Sequence, residues 1–183
     1  INYAATQYAI QLAKDHGCLN SFDPNLRFSL WKTPEEARKR ILYGMKQCDI
    51  MKISEEEVAF VSEQESLEKG VSFIRDNSDI KILFVTLGNK GSIAYYKDEK
   101  IYCGGIHQEH VVDTTGAGDT FCGAVLSRIL ELGTDALTEK DIREMLLFAN
   151  AAASIVVTRK GALCSMPEPE EIRAASSLID KVL

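Results

Sequence analysis

The run Ile-Lys-Ile-Leu-Phe-Val-Thr-Leu at residues 80–87 constrains the fold more than any other part of the sequence. It is nearly continuous in aliphatic, β-branched and aromatic side chains, which is typical of a strand buried on both faces. Such strands belong to parallel sheets covered by helices, and strand and helix patterns alternate along the rest of this chain. The sequence therefore predicts an α/β layered fold with a largely parallel sheet.

The other elements follow from apolar periodicity, helix caps and turn residues. Thr33 and Pro34, followed by two glutamates, predict a helix start, and a β-hairpin is predicted over 92–103 with a polar turn at 97–100. No internal repeat or linker is visible in residues 1–183, which predicts one domain. Further helices are predicted before Gly17, after Ser54, over 62–76, after Asp119, over 139–157 and over 168–182, and further strands over 18–22, 49–53 and 111–112.

Composition argues against several kinds of partner. The 183 residues carry a net charge of -6, from 27 acidic and 21 basic side chains without a basic run, which disfavours nucleic acid and anionic membrane surfaces. No apolar stretch has the length needed to span a bilayer. The five cysteines are scattered and include no Cys-x-x-Cys, so we expect no disulfide framework, no zinc site and a reducing, cytoplasmic setting.

The strongest chemical signal is the stretch Asp-Thr-Thr-Gly-Ala-Gly-Asp at residues 113–119, between a predicted strand and a predicted helix. Its small residues let the backbone approach a ligand and the helix start presents unpaired N–H groups, which together predict an anion site. Asp119 lies in the first turn, where it could accept a proton from an attacking hydroxyl. The plainer alternative is a glycine turn whose aspartate complements the helix dipole.

Two other phosphate-binding motifs are disfavoured. Phe121 stands where a dinucleotide-binding loop has its third glycine, and no Gly-x-x-x-x-Gly-Lys-Ser or Gly-x-x-x-x-Gly-Lys-Thr loop occurs. The three histidines are not at metal-ligand spacing. The predicted anion site is therefore neither a dinucleotide-binding loop nor a Walker loop.

Several segments, in order along the chain, resemble the ribokinase-like (PfkB) carbohydrate kinases. They are Asp-Pro-Asn-Leu-Arg at 23–27, Val-Thr-Leu-Gly-x-x-Gly at 85–91, the extended motif at 111–121, and the pair of segments at 148–153 and 157–162. The resemblance implies a three-layer α/β/α fold, with residues 1–183 as the C-terminal part of one domain. The chain starts in mid-helix without an initiator Met, and the family's N-terminal part and lid have no counterpart in it, so we expect a piece of a longer protein.

The resemblance also implies roles for individual residues. Asp119 would be the base that deprotonates the sugar hydroxyl, beside an anion hole formed by the backbone of Gly116, Ala117 and Gly118. Arg27 would point into the sugar pocket, where its fork of donors suits hydroxyls, carboxylates or phosphates. The alternative for Arg27 is a surface arginine after a proline turn.

The nucleotide and two cations would lie near further residues. The resemblance places Thr86, Gly88, Gly91 and Asn150 along the nucleotide. The alternatives are a plain strand end for Thr86 and a solvent-bonded helix residue for Asn150. Around a potassium ion it places Asp113, Thr115, Val156, Gly161 and Ser165.

Magnesium would be ordered through water by Glu57. The family has Asn-x-x-Glu at this point, whereas this chain has Ser54-Glu55-Glu56-Glu57, which also reads as a capping box. The missing asparagine weakens the magnesium assignment, and both roles could hold together.

The function predicted from this resemblance is ATP-dependent transfer of a phosphoryl group to a sugar hydroxyl, with magnesium and potassium as cofactors. Fructokinase is the first interpretation, and 2-keto-3-deoxygluconate kinase or another PfkB sugar or nucleoside kinase is the alternative. A non-catalytic sugar- or nucleotide-binding module is the alternative from another class. We expect a sugar and ATP as partners, neither nucleic acid nor membrane, and a homodimer for the intact protein.

Overall fold

The computed structural model describes residues 2–179, and its five strands follow one another across a single sheet in chain order. The sheet is mixed and mostly parallel and is accompanied by seven α-helices, which confirms the predicted α/β class. None of the helices within residues 2–179 combines the length and the apolar content that a membrane crossing needs. The chain divides into two compact units, Ile1–Val85 and Thr86–Leu183, which are described in turn.

The first unit contains four helices and three strands. In order they are α1 Asn2–Asp15, β1 Ser21–Phe22, α2 Pro34–Met45, β2 Ile50–Ser54, α3 Glu55–Ser62, α4 Leu67–Asp76 and β3 Ile82–Thr86, with a 3₁₀ turn at Phe28–Leu30. β1 pairs with β2 in parallel, so that Ser21 lies opposite Ile50 and Phe22 opposite Met51. The predicted strand over 18–22 is therefore shorter, because only two of its residues pair.

Burial in the first unit agrees with the sequence pattern. Residues 82–85 of β3 are at most 1 % exposed, which confirms a strand buried on both faces. Thr33 begins α2 as predicted, since its hydroxyl accepts a hydrogen bond from the Glu36 N–H at 3.2 Å. The local cap and the apolar run are each sufficient to define their element.

The helix predicted over 62–76 is wrong at its start. Ser62 ends α3, where its hydroxyl donates to the Val58 carbonyl at 2.7 Å, and Glu63 leaves the helix with a φ of 57°. A new cap at Ser66 then begins α4 by accepting from the Lys69 N–H at 3.3 Å. Two serines four residues apart could each serve as the cap, and the prediction chose the one that ends the preceding helix.

The second unit contains two strands and three helices. They are β4 Gly91–Tyr96, β5 Glu99–Gly104, α5 Ala117–Leu132, α6 Glu139–Val156 and α7 Pro169–Ile179. β4 and β5 form the predicted hairpin, but Tyr96 pairs with Glu99, so the turn contains two residues rather than the four of the predicted 97–100 turn. Lys97 makes this tight turn possible with a φ of 50°.

Two further predictions are corrected in this unit. Val111 and Val112 do not form a strand: each is 59 % exposed, and the Val112 N–H donates to the Val157 carbonyl at 2.8 Å, just after α6, instead of to a neighbouring strand. The helix predicted over 168–182 is α7, and the part of that prediction beyond residue 179 lies outside the described residues. The helix predicted over 139–157 is confirmed as α6.

Candidate active site

The start of α5 carries the predicted catalytic motif. Gly116 is the N-cap with a φ of 85°, a left-handed conformation that favours glycine. A side chain there would also contact the backbone of Ala162, since a Cβ would lie 3.5 Å from its Cα. Asp119 is the third residue of the helix and is exposed. The motif therefore presents a carboxylate to solvent in the first turn of a helix.

The predicted anion hole is only partly open. The first N–H groups of a helix have no partner within the helix, which holds for Gly118 and Asp119 at the start of α5. The Ala117 N–H, however, donates to the Thr114 carbonyl at 3.3 Å. The Ala117 N–H of the predicted anion hole is therefore already engaged, whereas the N–H groups of the second and third residues of α5 have no partner within the helix.

Asp113 holds two loops together. One carboxylate oxygen accepts from the Thr115 N–H at 2.9 Å and the other accepts from the Gly161 N–H at 3.3 Å. The bond from Thr115, followed by that from Gly161, lowers the pKa of Asp113 below its ordinary value. The loop before α5 and the loop after α6 are thus joined through one ionised side chain.

The loop after α6 is closed by its own hydrogen bonds. Ser165 is 1 % exposed, and its hydroxyl lies 2.6 Å from the Gly161 carbonyl oxygen and 2.7 Å from that of Ala162. Gly161 has a φ of 102°. Arg159 completes the loop, because its guanidinium donates to the Ser165 carbonyl at 3.4 Å and to Glu171 at 2.5 Å.

Three predicted nucleotide residues lie at the turn between β3 and β4. Thr86 is the last residue of β3 and is half-buried, while Gly88 is exposed, with a φ of 61° and open space around it. Gly91 differs from them, because a Cβ there would lie 2.2 Å from the Cys103 carbonyl oxygen. Gly91 is therefore required by the close approach of β4 and β5, whatever else it contacts.

Asn150 on α6 is 7 % exposed and makes three hydrogen bonds. Its Oδ1 accepts from the Ser92 hydroxyl at 2.9 Å, and its Nδ2 donates to the Cys103 and Gly104 carbonyls at 3.2 and 3.1 Å. The interpretation of Asn150 as a solvent-bonded residue is therefore wrong. Its amide joins α6 to both strands of the hairpin, a role that sequence reasoning missed because the partners are 46 to 58 residues away.

In the first unit, Glu57 has two roles. The predicted capping box is present: Glu57 accepts from the Ser54 N–H at 2.9 Å, and the Ser54 hydroxyl accepts from the Glu57 N–H at 3.2 Å. The other carboxylate oxygen accepts from the Leu26 N–H at 2.6 Å, a bond that the sequence pattern did not predict. Glu57 is 8 % exposed and ties the segment before Arg27 to α3.

Asp23 and Lys52 form an ion pair that sequence reasoning also missed. The Lys52 ammonium lies 3.1 and 3.3 Å from the two Asp23 oxygens. The Lys52 side chain is 8 % exposed and the Asp23 side chain is 16 % exposed. Burial raises the pKa of Asp23, and the Lys52 charge opposes that rise. The signal in the sequence was a lysine at the centre of an apolar strand, since a buried charge needs a partner.

Arg27 is exposed at the edge of a cavity of about 260 Å³. Its guanidinium donates to the Leu26 carbonyl at 3.1 Å. The turn before it is held by Asp23, whose carboxylate accepts from the Asn25 N–H at 3.2 Å, while Asn25 has a φ of 44°. The cavity is lined by Asn25, Leu26, Arg27, Phe28, Lys52, Ser54, Glu56, Glu57 and Phe60.

Comparison with known proteins decides the family. The pattern described as pfkB family carbohydrate kinase matches residues 1–169. The chain belongs to this family. Fructokinase-1 of Oryza sativa subsp. japonica is 42 % identical over 166 residues, which are 90 % of this chain and 50 % of that protein. This PfkB-family chain thus spans about half the length of the curated relatives that it matches first.

Solved structures confirm the ribokinase-like fold of this PfkB-family chain. A double mutant of fructokinase from Vibrio cholerae O395, with fructose, ADP and a potassium ion bound, matches with a TM-score of 0.85 and 33 % identity, over 93 % of this chain and 54 % of that one. A candidate ribokinase II from E. coli, in complex with ATP and Mg²⁺, matches with a TM-score of 0.81 and 30 % identity, over 95 % of this chain and 53 % of that one.

The residues that the resemblance assigned to potassium fit an ion of that kind. Asp113 bonds to Thr115 and Gly161, and Ser165 bonds to Gly161, so four of the five assigned residues belong to one hydrogen-bonded cluster. The Val156 carbonyl accepts from the Arg159 N–H at 3.0 Å and retains its second lone pair. One carboxylate with backbone oxygens is the type of ligand set that a hard cation prefers.

Fewer observations support a magnesium site near Glu57 than support the potassium site. Both Glu57 oxygens already accept a backbone N–H, so magnesium would be reached through water on the remaining lone pairs. Over residues 2–179 no group of three His, Cys, Asp or Glu side chains is placed to hold a metal ion. The Glu57 carboxylate therefore suits water-mediated ordering of magnesium better than direct coordination.

Proposed function

We propose that the protein is an ATP-dependent sugar kinase and that fructose is its acceptor. The observation that carries the proposal is Asp119, an exposed carboxylate in the first turn of α5, next to the left-handed Gly116. Membership of the pfkB family supports phosphoryl transfer, and the 42 % identity to a fructokinase supports fructose. Residues 1–183 would form the C-terminal part of one kinase domain, in line with their coverage of about half of each relative.

The proposed reaction needs one proton acceptor and an anion site. Asp119 takes the proton from a sugar hydroxyl while the oxygen attacks the γ-phosphorus of ATP, and the bond from that phosphorus to the bridging oxygen breaks to release ADP. The N–H groups of Gly118 and Asp119 at the start of α5 would donate hydrogen bonds to the negative charge that accumulates on the transferred phosphoryl group. Catalysis would come mainly from positioning and charge stabilisation, because a loose phosphoryl transition state asks little covalent chemistry of a protein.

The cofactors would be held by the residues described above. Potassium would lie among Asp113, Thr115, Val156, Gly161 and Ser165, and magnesium would be ordered through water near Glu57. Magnesium would neutralise phosphate charge when it is bound. In this chain, Asp113 orients the two loops beside the start of α5, which keeps the anion site in shape.

Nucleotide and sugar would contact different residues. Thr86, Gly88, Gly91 and Asn150 are proposed to lie along the nucleotide. Gly88 supports this best, because its exposed backbone has open space around it. Arg27 is proposed to contact the sugar, since it lines the cavity in the first unit. A guanidinium also suits a carboxylate, which keeps 2-keto-3-deoxygluconate as the second candidate acceptor.

The proposal is tested by sugar-dependent ADP release in the protein at its natural full length. Fructose is expected to give the highest kcat/KM, with 2-keto-3-deoxygluconate and a nucleoside as comparison acceptors. Asp119→Asn is expected to lower kcat by about a hundredfold or more with nearly unchanged ATP binding, because a general base acts mainly in the transition state. Activity within a few-fold of the parent would refute the assignment of Asp119. ATP binding without turnover on any sugar would favour a non-catalytic binding module.

A further inference from the structure

The segment that carries Arg27 is anchored by the buried Asp23–Lys52 pair, and the sheet register explains how. β1 and β2 run parallel with Phe22, the last residue of β1, opposite Met51. Asp23 directly follows β1, and Lys52 directly follows Met51 in β2, so this register brings the two residues close together. The ammonium reaches both carboxylate oxygens, at 3.1 and 3.3 Å.

The same segment is attached at two more points. The Leu26 N–H donates to Glu57 at 2.6 Å, and Glu57 itself is fixed by its capping box with Ser54. Just after Arg27, the rings of Phe28 and Phe60 pack edge to face with centroids 5.1 Å apart. The backbone on either side of Arg27 is therefore tied to β2 and α3, although the arginine side chain is exposed.

We propose that Lys52 is a positioning residue for Arg27, acting through Asp23. A buried ion pair contributes little net stability compared with well-packed apolar side chains, so stability alone gives no strong reason for charges at these two places. A directional pair does fix the start of the 23–27 segment, which then presents the Arg27 guanidinium at one edge of the cavity. The consequence for sugar binding rests on the proposed function, whereas the anchoring itself does not.

Lys52 also lines the cavity, so it must be distinguished from a group that touches the ligand directly. If Lys52 acts through Asp23, neutralising either partner loosens the same segment, and the two changes together are no worse than the more harmful single change. If Lys52 binds the ligand itself, Asp23→Asn has little effect and Lys52→Met accounts for the whole loss. A double-mutant cycle separates the two roles.

The kinetic test compares Lys52→Met, Asp23→Asn and the double variant in the full-length protein. Each is expected to raise the KM for the sugar by about tenfold to a hundredfold, as small displacements of a positioning group do, with the KM for ATP within about twofold of the parent. Arg38→Met is the control, because it breaks the Arg38–Glu63 pair of the same unit, at 3.1 Å, and the bond from Arg38 to the Val61 carbonyl, at 2.8 Å, without changing a residue of the 23–27 segment. It is expected to leave the sugar KM unchanged.

Hydrogen–deuterium exchange gives a readout that needs no activity. Amides of residues 25–28 are expected to exchange faster in Lys52→Met and in the neutral double variant than in the parent or in Arg38→Met. The double variant keeps the test decisive if a single change, which leaves one buried charge unpaired, fails to fold. Unchanged exchange, or a sugar KM that Asp23→Asn leaves at the parent value, would overturn the proposal. If the parent protein showed no sugar-dependent turnover, the proposed function would be refuted. Hydrogen–deuterium exchange would still test whether the Asp23–Lys52 pair anchors the 23–27 segment.

Discussion

Replacing Asn150 with alanine is expected to destabilise the protein far more than an ordinary helix substitution. The change removes the hydrogen bonds to Ser92, Cys103 and Gly104. At about 1 kcal/mol for each bond, the expected loss in the free energy of unfolding is about 3 kcal/mol. The Ser92 hydroxyl and the Cys103 carbonyl would lose this partner inside the protein, which increases the expected destabilisation. The carbonyl of the exposed Gly104 can instead accept a hydrogen bond from water.

Urea unfolding of the full-length protein measures this loss, and three further variants sharpen it. Ser92→Ala is expected to lower the free energy of unfolding by about 1 kcal/mol. The double variant Ser92→Ala with Asn150→Ala is expected to lose less than the sum of the two single losses, because the two side chains share a hydrogen bond. Asn150→Asp is expected to be at least as harmful as Asn150→Ala, since it turns carboxylate oxygens toward two carbonyls. Asn77→Ala is the control, because that amide is exposed and donates to the Phe73 carbonyl at 2.8 Å; its loss should cost about 0.5 kcal/mol or less.

A loss below about 1 kcal/mol for Asn150→Ala would refute the reasoning, because buried hydrogen bonds of this number cannot all be that weak. ATP binding by the same variants tests the predicted nucleotide contact. Asn150→Ala should weaken ATP binding if its side chain touches the nucleotide, while Ser92→Ala should leave ATP binding nearly unchanged.

Two more outcomes are expected. Gly91→Ala should destabilise the hairpin by about 2 kcal/mol or more, since its Cβ would meet the Cys103 carbonyl at 2.2 Å; Gly88→Ala, also at positive φ but in open space, is the control in thermal unfolding and should cost less. Because its folded pKa is lowered, Asp113 contributes stability that is fully present above its ordinary value of 3.8 and is lost as pH falls through the folded pKa. Asp113→Asn should therefore reduce the loss of unfolding free energy that occurs as the pH falls into the acid range. It should also remove any preference of the activity for potassium over sodium. An unchanged acid dependence of the unfolding free energy would contradict the role of the two N–H bonds that Asp113 accepts.

The sequence by itself determined the elements whose signals are local. The capping residues Thr33 and Ser54 and the apolar run in β3 each specify their neighbourhood within a few residues, and the structure confirms them. Local signals were insufficient where two caps competed, as at Ser62 and Ser66. They also failed at Val112, whose valine-rich stretch favours a strand but whose N–H bonds to a residue after α6.

Only the tertiary structure decided which polar side chains work together. Asp23 and Lys52 are 29 residues apart, and their pairing depends on the register of β1 against β2. Asn150 and Ser92 are 58 residues apart and meet because α6 packs on the hairpin. A buried polar group requires a partner, and this requirement is visible in the sequence as a lysine or an asparagine in an apolar run. The identity of the partner is not visible in the sequence, because it is fixed by distances between elements that no local pattern encodes.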